Sequence, residues 1–155
     1  MRTFEDFFPG LIIDLGHYDV SEQEMIAFAE RYDPQFFHTD PAAAADSPFG
    51  GLIGSGWLTA AIFQRMQCDS LLKDSSCVGS PGVDEIRWIK PLRPGDQLHG
   101  SIVVEAVKPS ASKPDRGAVF SKVELFNKNE TLVMSLRTRV IYMKNTKEIS
   151  NSAND

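Results

Sequence analysis

The chain has 155 residues, of which 42% are hydrophobic and 24% charged, and 16 basic against 21 acidic residues give a net charge of −5. This length and composition predict one globular domain with a substantial core and exclude a disordered chain. The acidic balance argues against a nucleic-acid-binding module, which would carry a basic stripe. Two cysteines, Cys68 and Cys77, are too few for a disulfide framework and lack metal-type spacing, so we expect free thiols in a reducing compartment.

No segment has the pattern of a signal peptide or a membrane span. The N-terminal apolar stretch contains acidic residues and no small-residue cleavage site. The longest uncharged stretch, residues 47–64, is interrupted by Pro48 and several glycines, so its apolar part is too short for a ~30 Å hydrocarbon layer. We therefore expect a soluble cytoplasmic protein without a membrane partner.

The first clear element is a helix that begins after Ser21. Ser21 and Glu24 fit a capping box, in which each side chain satisfies a free backbone N–H. Pro34 disfavours the helical conformation of the residue before it, so the helix should end near Asp33. The apolar residues of this segment recur at helical spacing, at Met25, Phe28, Ala29 and Tyr32.

The region from Pro34 to Gly56 is predicted to be irregular, with one short helical turn at Pro41–Ala45. Residues 57–66 follow and are apolar on nearly every side through Phe63, which is typical of a buried helix. Glycines stand at its start, where the backbone can approach another group closely.

The second half of the chain changes to a period of two, which predicts strands over residues 98–107, 119–125 and 132–142. Residues 83–89 form a fourth, less regular strand, and residues 127–130 form a hairpin turn. Helices followed by consecutive strands indicate an α+β domain with a buried helix on a curved antiparallel sheet. The long strand over residues 131–143 is expected to be an exposed edge that a second copy covers. The domain covers residues 1–144, and residues 145–155 form a polar C-terminal tail.

A carboxylate and an imidazole, Asp33 and His38, lie five residues apart across a proline-stiffened bend. This pair is suited to general acid–base chemistry on one bound water. From the spacing alone a structural role stays open, with Asp33 capping a turn and His38 buried and hydrogen-bonded. Asp40 precedes Pro41 and is expected to be the N-cap of the short turn.

A glycine-rich segment, residues 49–57, leads into the predicted buried helix. Free backbone N–H groups at a helix N-terminus can stabilise a developing oxyanion. The alternative is a turn that needs glycine only for close packing. Two basic groups have candidate roles in holding the phosphates of a large carrier, or are simply solvated: Arg87, Lys90 and Arg93, and Lys108, Lys113 and Arg116.

Two long motifs, residues 32–41 and 48–57, resemble in order and content those of the MaoC-like dehydratases, which include the (R)-specific enoyl-CoA hydratases. Residues 87–96 and 110–117 resemble the same family, so the likeness runs from about Met25 to Val140. It implies a single hot-dog fold, in which a long central helix is wrapped by a curved antiparallel sheet. It also implies a homodimer or higher homo-oligomer whose sheets join edge to edge, with active sites near the interface.

The resemblance implies that Asp33 and His38 are catalytic and that the backbone N–H of Gly56 is the oxyanion donor. Phe49, Ser55 and Trp57 are the candidate substrate-binding residues. Phe36 and Phe37 are further candidates for the acyl pocket, and the alternative for each of these aromatic residues is a place in the core. Some hydratases carry a serine on the central helix that orients the aspartate. This sequence has Gln64 there, so the resemblance leaves open what orients Asp33.

The implied activity is reversible hydration of a 2-enoyl thioester, with coenzyme A as part of the substrate and no metal or other cofactor. Two alternatives stay open on the same fold. One is a thioesterase, in which the carboxylate would activate water toward the carbonyl carbon. The other is a non-catalytic protein that binds an acyl thioester.

Overall fold

The computed structural model describes residues 1–145, so the predicted tail lies almost wholly outside the described residues. Within these residues, four helices and five strands form an α+β domain, together with short 3-10 turns at Phe4–Asp6 and Leu72–Asp74. In chain order the elements are β1 (Ile12–Asp19), α1 (Glu22–Tyr32), α2 (Phe36–Thr39), α3 (Pro41–Ala45), α4 (Gly56–Ser70), β2 (Cys77–Trp88), β3 (Gln97–Pro109), β4 (Arg116–Phe126) and β5 (Leu132–Met143).

Helix α1 begins and ends where its capping residues predict. Ser21 is the N-cap and accepts a hydrogen bond from the backbone N–H of Glu24 at 3.1 Å, and Asp33 is the C-cap. The reciprocal half of the predicted capping box is absent, because the Glu24 carboxylate instead accepts from the Tyr18 hydroxyl at 2.6 Å. Met25 and Ala29 are fully buried. This apolar stripe holds the helix on the core, and burying a side chain such as Met25 contributes about 1.5–3 kcal/mol.

Two short helices lie in the region predicted to be irregular. The turn at α3 matches its prediction, since Asp40 accepts from the N–H groups of Ala42 and Ala43 at 3.0 Å. Helix α2 was not predicted, because a single turn is too short to show helical periodicity. It carries His38, which is buried.

The five strands form one antiparallel sheet in the order β1-β3-β4-β5-β2, curved around the central helix α4. Alternate residues of β4 and β5 face the core, as the period of two predicts, and Arg137 and Arg139 face away. Helix α4 buries Leu58, Ile62, Phe63 and Met66 against this sheet. The arrangement is the hot-dog fold that the resemblance implies.

One sequence prediction about the sheet is wrong, and one strand was not predicted. Strand β5 is not an edge, because β4 and β2 pair with it on either side. The edges are β2 and β1, and β1 was not predicted at all. A register shift between Asp14 and His17 interrupts its alternation, and only Ile13 and Leu15 of this strand are buried. No helix within residues 1–145 is both long and apolar enough to cross a lipid bilayer.

Candidate active site

Asp33 lies at the end of α1, where its side chain turns back toward the start of α4. Its Oδ2 accepts a hydrogen bond from the Ser55 hydroxyl at 2.7 Å, and its Oδ1 accepts from the Gln35 amide at 2.7 Å. His38 Nε2 lies 3.4 Å from the same Oδ2. Ser55 lies 22 residues after Asp33 in the sequence, so no local pattern could predict the hydrogen bond between them. The structure therefore brings the predicted pair together and adds two side chains that hold the carboxylate.

These contacts lower the pKa of Asp33 below its ordinary value. The hydrogen bond from Ser55 is the largest cause, Gln35 and the nearby His38 act in the same direction, and partial burial opposes them. A carboxylate that accepts hydrogen bonds is stabilised in its charged form. Asp33 is therefore ionised at neutral pH, and 20% of its side chain is exposed and able to meet a ligand.

His38 is held in one tautomer by the segment that precedes α4. Its Nδ1 lies 2.7 Å from the carbonyl oxygen of Ile53, and Ile53 N–H donates to the carbonyl of Phe37. A carbonyl can only accept, so Nδ1 carries the proton. Nε2 is the ring nitrogen that faces Asp33. Asp33 Oδ2 and His38 Nε2 are therefore close enough for one water to contact both.

Gly56 is the first residue of α4, and its N–H donates to no acceptor within residues 1–145. The helix is 15 residues long, so its positive end adds to the field at this N–H. The Trp88 indole packs directly over Gly56. A Cβ at this position would lie 2.6 Å from the indole ring, so glycine is required here for packing as well as for any binding role.

A cavity of about 310 Å³ lies beside these groups and has a mainly apolar wall. His38 and Gly56 both line it, together with Phe49, Ile53, Gly54, Thr59, Trp88, Ile89, Lys90, Pro91 and Leu92. A volume of this size is within the range of small-molecule sites. Sequence reasoning missed most of the wall from residues 88–92, because these residues join the site only through the curvature of the sheet.

The three predicted substrate-binding residues occupy different places. Phe49 lines the cavity. Ser55 is fully buried as the N-cap of α4, behind Asp33 rather than on the wall. Trp57 is 59% exposed and meets Trp88 edge to face, at the rim.

Phe36 is half-exposed, and Phe37 packs between Phe36 and Phe49. Gln64 faces solvent and contacts Cys68, so it does not touch Asp33.

A model of the MaoC like domain matches residues 14–124, which include Asp33, His38 and Gly56. The chain belongs to this family. The crystal structure of the MaoC-like dehydratase from Rhodospirillum rubrum superposes with a TM-score of 0.86 at 36% identity, covering 94% of this chain and 99% of that one. The superposition supports the assignment of the hot-dog fold.

Two curated relatives differ in what their names describe. Nodulation protein N of Rhizobium meliloti is 36% identical over 114 residues, which are 70% of this chain and 71% of that protein. The 3-hydroxyacyl-thioester dehydratase Z of Mycobacterium tuberculosis is 27% identical over 133 residues, or 81% of this chain and 88% of that protein. The family thus includes dehydratases of acyl thioesters, which supports the same broad enzyme class for this chain.

Proposed function

We propose that this protein is a hydro-lyase that reversibly adds water across the C2–C3 double bond of a 2-enoyl thioester to give a 3-hydroxyacyl thioester. One arrangement of groups carries the proposal. The ionised Asp33 lies 3.4 Å from His38, whose Nδ1 is fixed by the Ile53 carbonyl. An apolar cavity lies beside this pair, and the Gly56 N–H, which has no acceptor within residues 1–145, also faces it. The named activity of the mycobacterial relative supports this reaction class. Coenzyme A is the proposed thiol carrier.

In the proposed reaction, one water donates a hydrogen bond to Asp33 and another to Nε2 of His38. As the water oxygen bonds to C3, Asp33 takes one proton and the electron pair of the double bond moves toward the thioester oxygen. The Gly56 N–H stabilises the negative charge on that oxygen. The carboxylic acid so formed at Asp33 then returns its proton to C2, and the hydroxyl stays on C3. The low pKa of Asp33 makes this return favourable.

The reaction needs no group beyond these side chains and the substrate, so the proposal includes no metal or redox cofactor. We further propose a homodimer in which strand β2 pairs with its copy. This strand is a free edge of the sheet and carries exposed apolar residues at Val78, Val83 and Trp88. A long, apolar free edge invites pairing with another chain, and a two-fold dimer satisfies both edges at once.

A direct assay follows the conjugated enoyl absorbance of 2-enoyl-CoA substrates of increasing chain length, with a thiol reagent in a parallel reaction. Hydration removes the absorbance and leaves the thioester intact. Release of free coenzyme A with the double bond intact would contradict the proposal and indicate a thioesterase. Tight binding of every substrate without turnover would contradict it in favour of a non-catalytic binding protein.

A further inference from the structure

The active-site cavity has an exposed rim and a buried end. Trp88 is largely exposed and lies at the rim, whereas Thr59 and Leu92 are buried. Gly54 closes the buried end against Leu92, because an added Cβ at Gly54 would lie 3.0 Å from the Leu92 side chain. Besides His38, Thr59 is the one polar side chain among the buried residues of this wall.

The Thr59 hydroxyl has no hydrogen-bond partner within residues 1–145. A threonine or serine inside a helix commonly donates its hydroxyl to a carbonyl one turn earlier. Ser70 does so in the same helix, to the Met66 carbonyl at 2.8 Å. The Ser55 carbonyl, one turn before Thr59, instead accepts backbone N–H groups, from Leu58 at 3.0 Å and Thr59 at 3.3 Å. The hydroxyl is therefore left available to a ligand.

The oxygen of this hydroxyl is accessible from the cavity. Among the buried and half-buried residues that the structure describes, only Arg2 has a side-chain polar atom that is both fully covered and without a partner. Thr59 Oγ1 lacks a partner and is therefore not fully covered. Because Thr59 is only 4% exposed and lines the cavity, its accessible oxygen faces that space.

Thr59 lies one helical turn after Gly56, too far to share the acceptor of the Gly56 N–H. Three residues of α-helix span about 4.5 Å along the axis. The Gly56 N–H points out of the end of α4, so an oxygen that accepts from it lies ~3 Å beyond the helix in the other direction. Helical side chains lean toward the N-terminus, which leaves roughly 6 Å between that oxygen and the Thr59 hydroxyl. The hydroxyl is therefore placed for a second polar group of the substrate.

The length of a 2-enoyl chain puts such a group on C4, the first carbon beyond the double bond. An oxygen on C4 is five bonds from the thioester oxygen. An extended chain covers about 1.2 Å per bond, so five bonds span roughly 6 Å. With the thioester oxygen on the Gly56 N–H, an oxygen on C4 comes within hydrogen-bonding distance of Thr59.

The distribution of charge around the cavity favours an uncharged group beside Thr59, because a buried charge needs a paired charge. Lys90 lines the cavity but is exposed, so its ammonium group lies toward the rim. The Arg93 guanidinium donates to three carbonyls of residues 49–52, and Arg87 donates to the Ile86 carbonyl. A hydroxyl or carbonyl oxygen fits this end of the cavity, since a threonine hydroxyl can donate or accept.

We propose that the acyl chain of the substrate carries a hydroxyl or carbonyl oxygen on C4, and that the Thr59 hydroxyl forms a hydrogen bond with it. The inference rests on the proposed function and names a substrate class for the same site. Thr59 is then a specificity-determining residue. It discriminates against plain 2-enoyl chains, because an apolar chain leaves the hydroxyl unpaired inside the cavity.

Two thioesters of equal size test the substrate class. In 4-hydroxy-2-butenoyl-CoA a hydroxyl stands where 2-pentenoyl-CoA has a methyl group. The wild type should have a kcat/KM about tenfold or more higher for the hydroxylated thioester, mainly through a lower KM, as one additional hydrogen bond provides. Equal values, or a preference for 2-pentenoyl-CoA, would overturn the proposal.

Three variants test whether Thr59 is the cause of that preference. Thr59→Val keeps the shape of the side chain without its hydroxyl and should bring the two kcat/KM values to near equality. Thr59→Ser keeps the hydroxyl and should keep the preference. Thr138→Val makes the same change at another buried threonine, on β5 and outside this cavity, so it is the matched control and should keep the preference. A preference retained in folded Thr59→Val, or lost equally in Thr138→Val, would overturn the role of Thr59.

A carboxylate on C4 is the competing substrate class. The coenzyme A thioester of fumaric acid carries one, and we expect its kcat/KM to be at least tenfold below that of the hydroxylated thioester, because the charge would be unpaired. A higher kcat/KM for the carboxylate, lost in Lys90→Ala, would show that Lys90 reaches the acyl chain and would overturn the proposal.

Binding of saturated thioesters separates this inference from the proposed function. 4-Oxopentanoyl-CoA and 4-methylpentanoyl-CoA have similar shapes, differ in the oxygen on C4 and contain no double bond to hydrate. If the wild type hydrates no enoyl thioester, the proposed function fails. Calorimetric binding about tenfold tighter for the oxo compound in the wild type, but not in Thr59→Val, would still support the polar subsite. Equal binding of the two by the wild type would overturn it, whatever the activity.

Discussion

At the scale of single residues, the site depends on how Asp33 is held. Its two carboxylate oxygens accept from Ser55 and Gln35, and His38 is fixed from behind by the Ile53 carbonyl. These contacts fix the orientation of both side chains. The resemblance left open what orients Asp33, because Gln64 stands where some hydratases have a serine. In the structure Ser55, the N-cap of α4, holds the Asp33 carboxylate.

Replacing either member of the pair should lower turnover with little loss of stability. Asp33→Asn keeps the size of the side chain but removes its basicity, and His38→Gln removes the ring. Each should reduce the kcat for an enoyl-CoA by ~10²–10⁴, the usual range for a general acid or base. The double variant should lose little more than the worse single variant, because the two groups act on one water. Near-wild-type rates in folded single variants, checked by circular dichroism, would contradict the mechanism.

The pH dependence of the reaction should report on Ser55. Asp33 has a lowered pKa, so its carboxylate stays ionised until the pH falls below the ordinary aspartate value of about 3.9. Removing the Ser55 hydroxyl removes the largest cause of the lowering, so the pKa should rise in Ser55→Ala. The acidic limb of the kcat/KM profile should therefore move to higher pH.

Ser55→Thr is the control for that shift, because it keeps both the hydroxyl and the N-cap. Ser55→Ala should also destabilise the fold by about 0.5–2 kcal/mol through loss of the cap. If Ser55→Ala changed only the stability of the fold, the acidic limb of the kcat/KM profile would stay at its wild-type position. An unmoved limb in Ser55→Ala would show that this hydrogen bond does not control Asp33.

At the scale of elements, the start of α4 joins the parts of the site. Ser55 caps the helix and holds Asp33, and the next residue, Gly56, presents its free N–H beside the cavity. The Trp88 indole from the end of β2 covers Gly56 closely. Any side chain at position 56 therefore disturbs Trp88, and a single substitution of Gly56 cannot separate the N–H from the packing.

A matched pair of double variants makes that separation. Trp88→Ala/Gly56→Ala keeps the N–H and gives the new methyl group room, whereas Trp88→Ala/Gly56→Pro removes the N–H. Proline is well tolerated at the first position of a helix, so both variants should fold. The proline variant should have a kcat lower by ~10²–10³, the usual cost of one oxyanion donor. Equal kcat values in the two double variants would show that the Gly56 N–H does not contribute to the reaction and that glycine is needed there only for packing.

At the scale of the whole molecule, the sheet has two free edges that differ in their surroundings. Strand β2 ends at Trp88, on the wall of the cavity that His38 and Gly56 line, and begins at Cys77, next to a second cavity that Val78 and Arg139 line. Strand β1 lies at the other edge, and none of its residues, Ile12–Asp19, lines either of these cavities. Pairing through β2 would therefore bring the second copy next to both cavities, and pairing through β1 would not.

Charge placed on one edge at a time should identify the dimer interface. Val83 on β2 is 51% exposed and Ile12 on β1 is 67% exposed, so both are surface positions of similar chemistry. Val83→Lys should shift sedimentation at micromolar concentration toward a monomer, because the charge would be buried without a partner at the interface. Ile12→Lys should leave the dimer intact. The reverse pattern, or a monomeric wild type, would contradict the β2 dimer.

Local features of the sequence determined much of the molecule. Ser21 and Pro34 determine where α1 begins and ends, and the alternation of apolar residues predicts β3, β4 and β5. Caps, proline and periodicity act over a few residues, so they can be read from the chain itself. The motifs around Asp33, His38 and Gly56 likewise predicted residues that the fold brings close together.

Tertiary structure decided what depends on neighbours distant in the chain. A period of two shows which residues share a face but not which strands are adjacent, so only the fold places β5 inside the sheet and β2 at its edge. Ser55 reaches Asp33 across 22 residues, and Trp88 covers Gly56 across 32. The same folding places Trp88, at the end of β2, on the wall of the cavity that His38 lines. These relations arise from sheet order and curvature, which are set by the packing of the whole core rather than by any one segment.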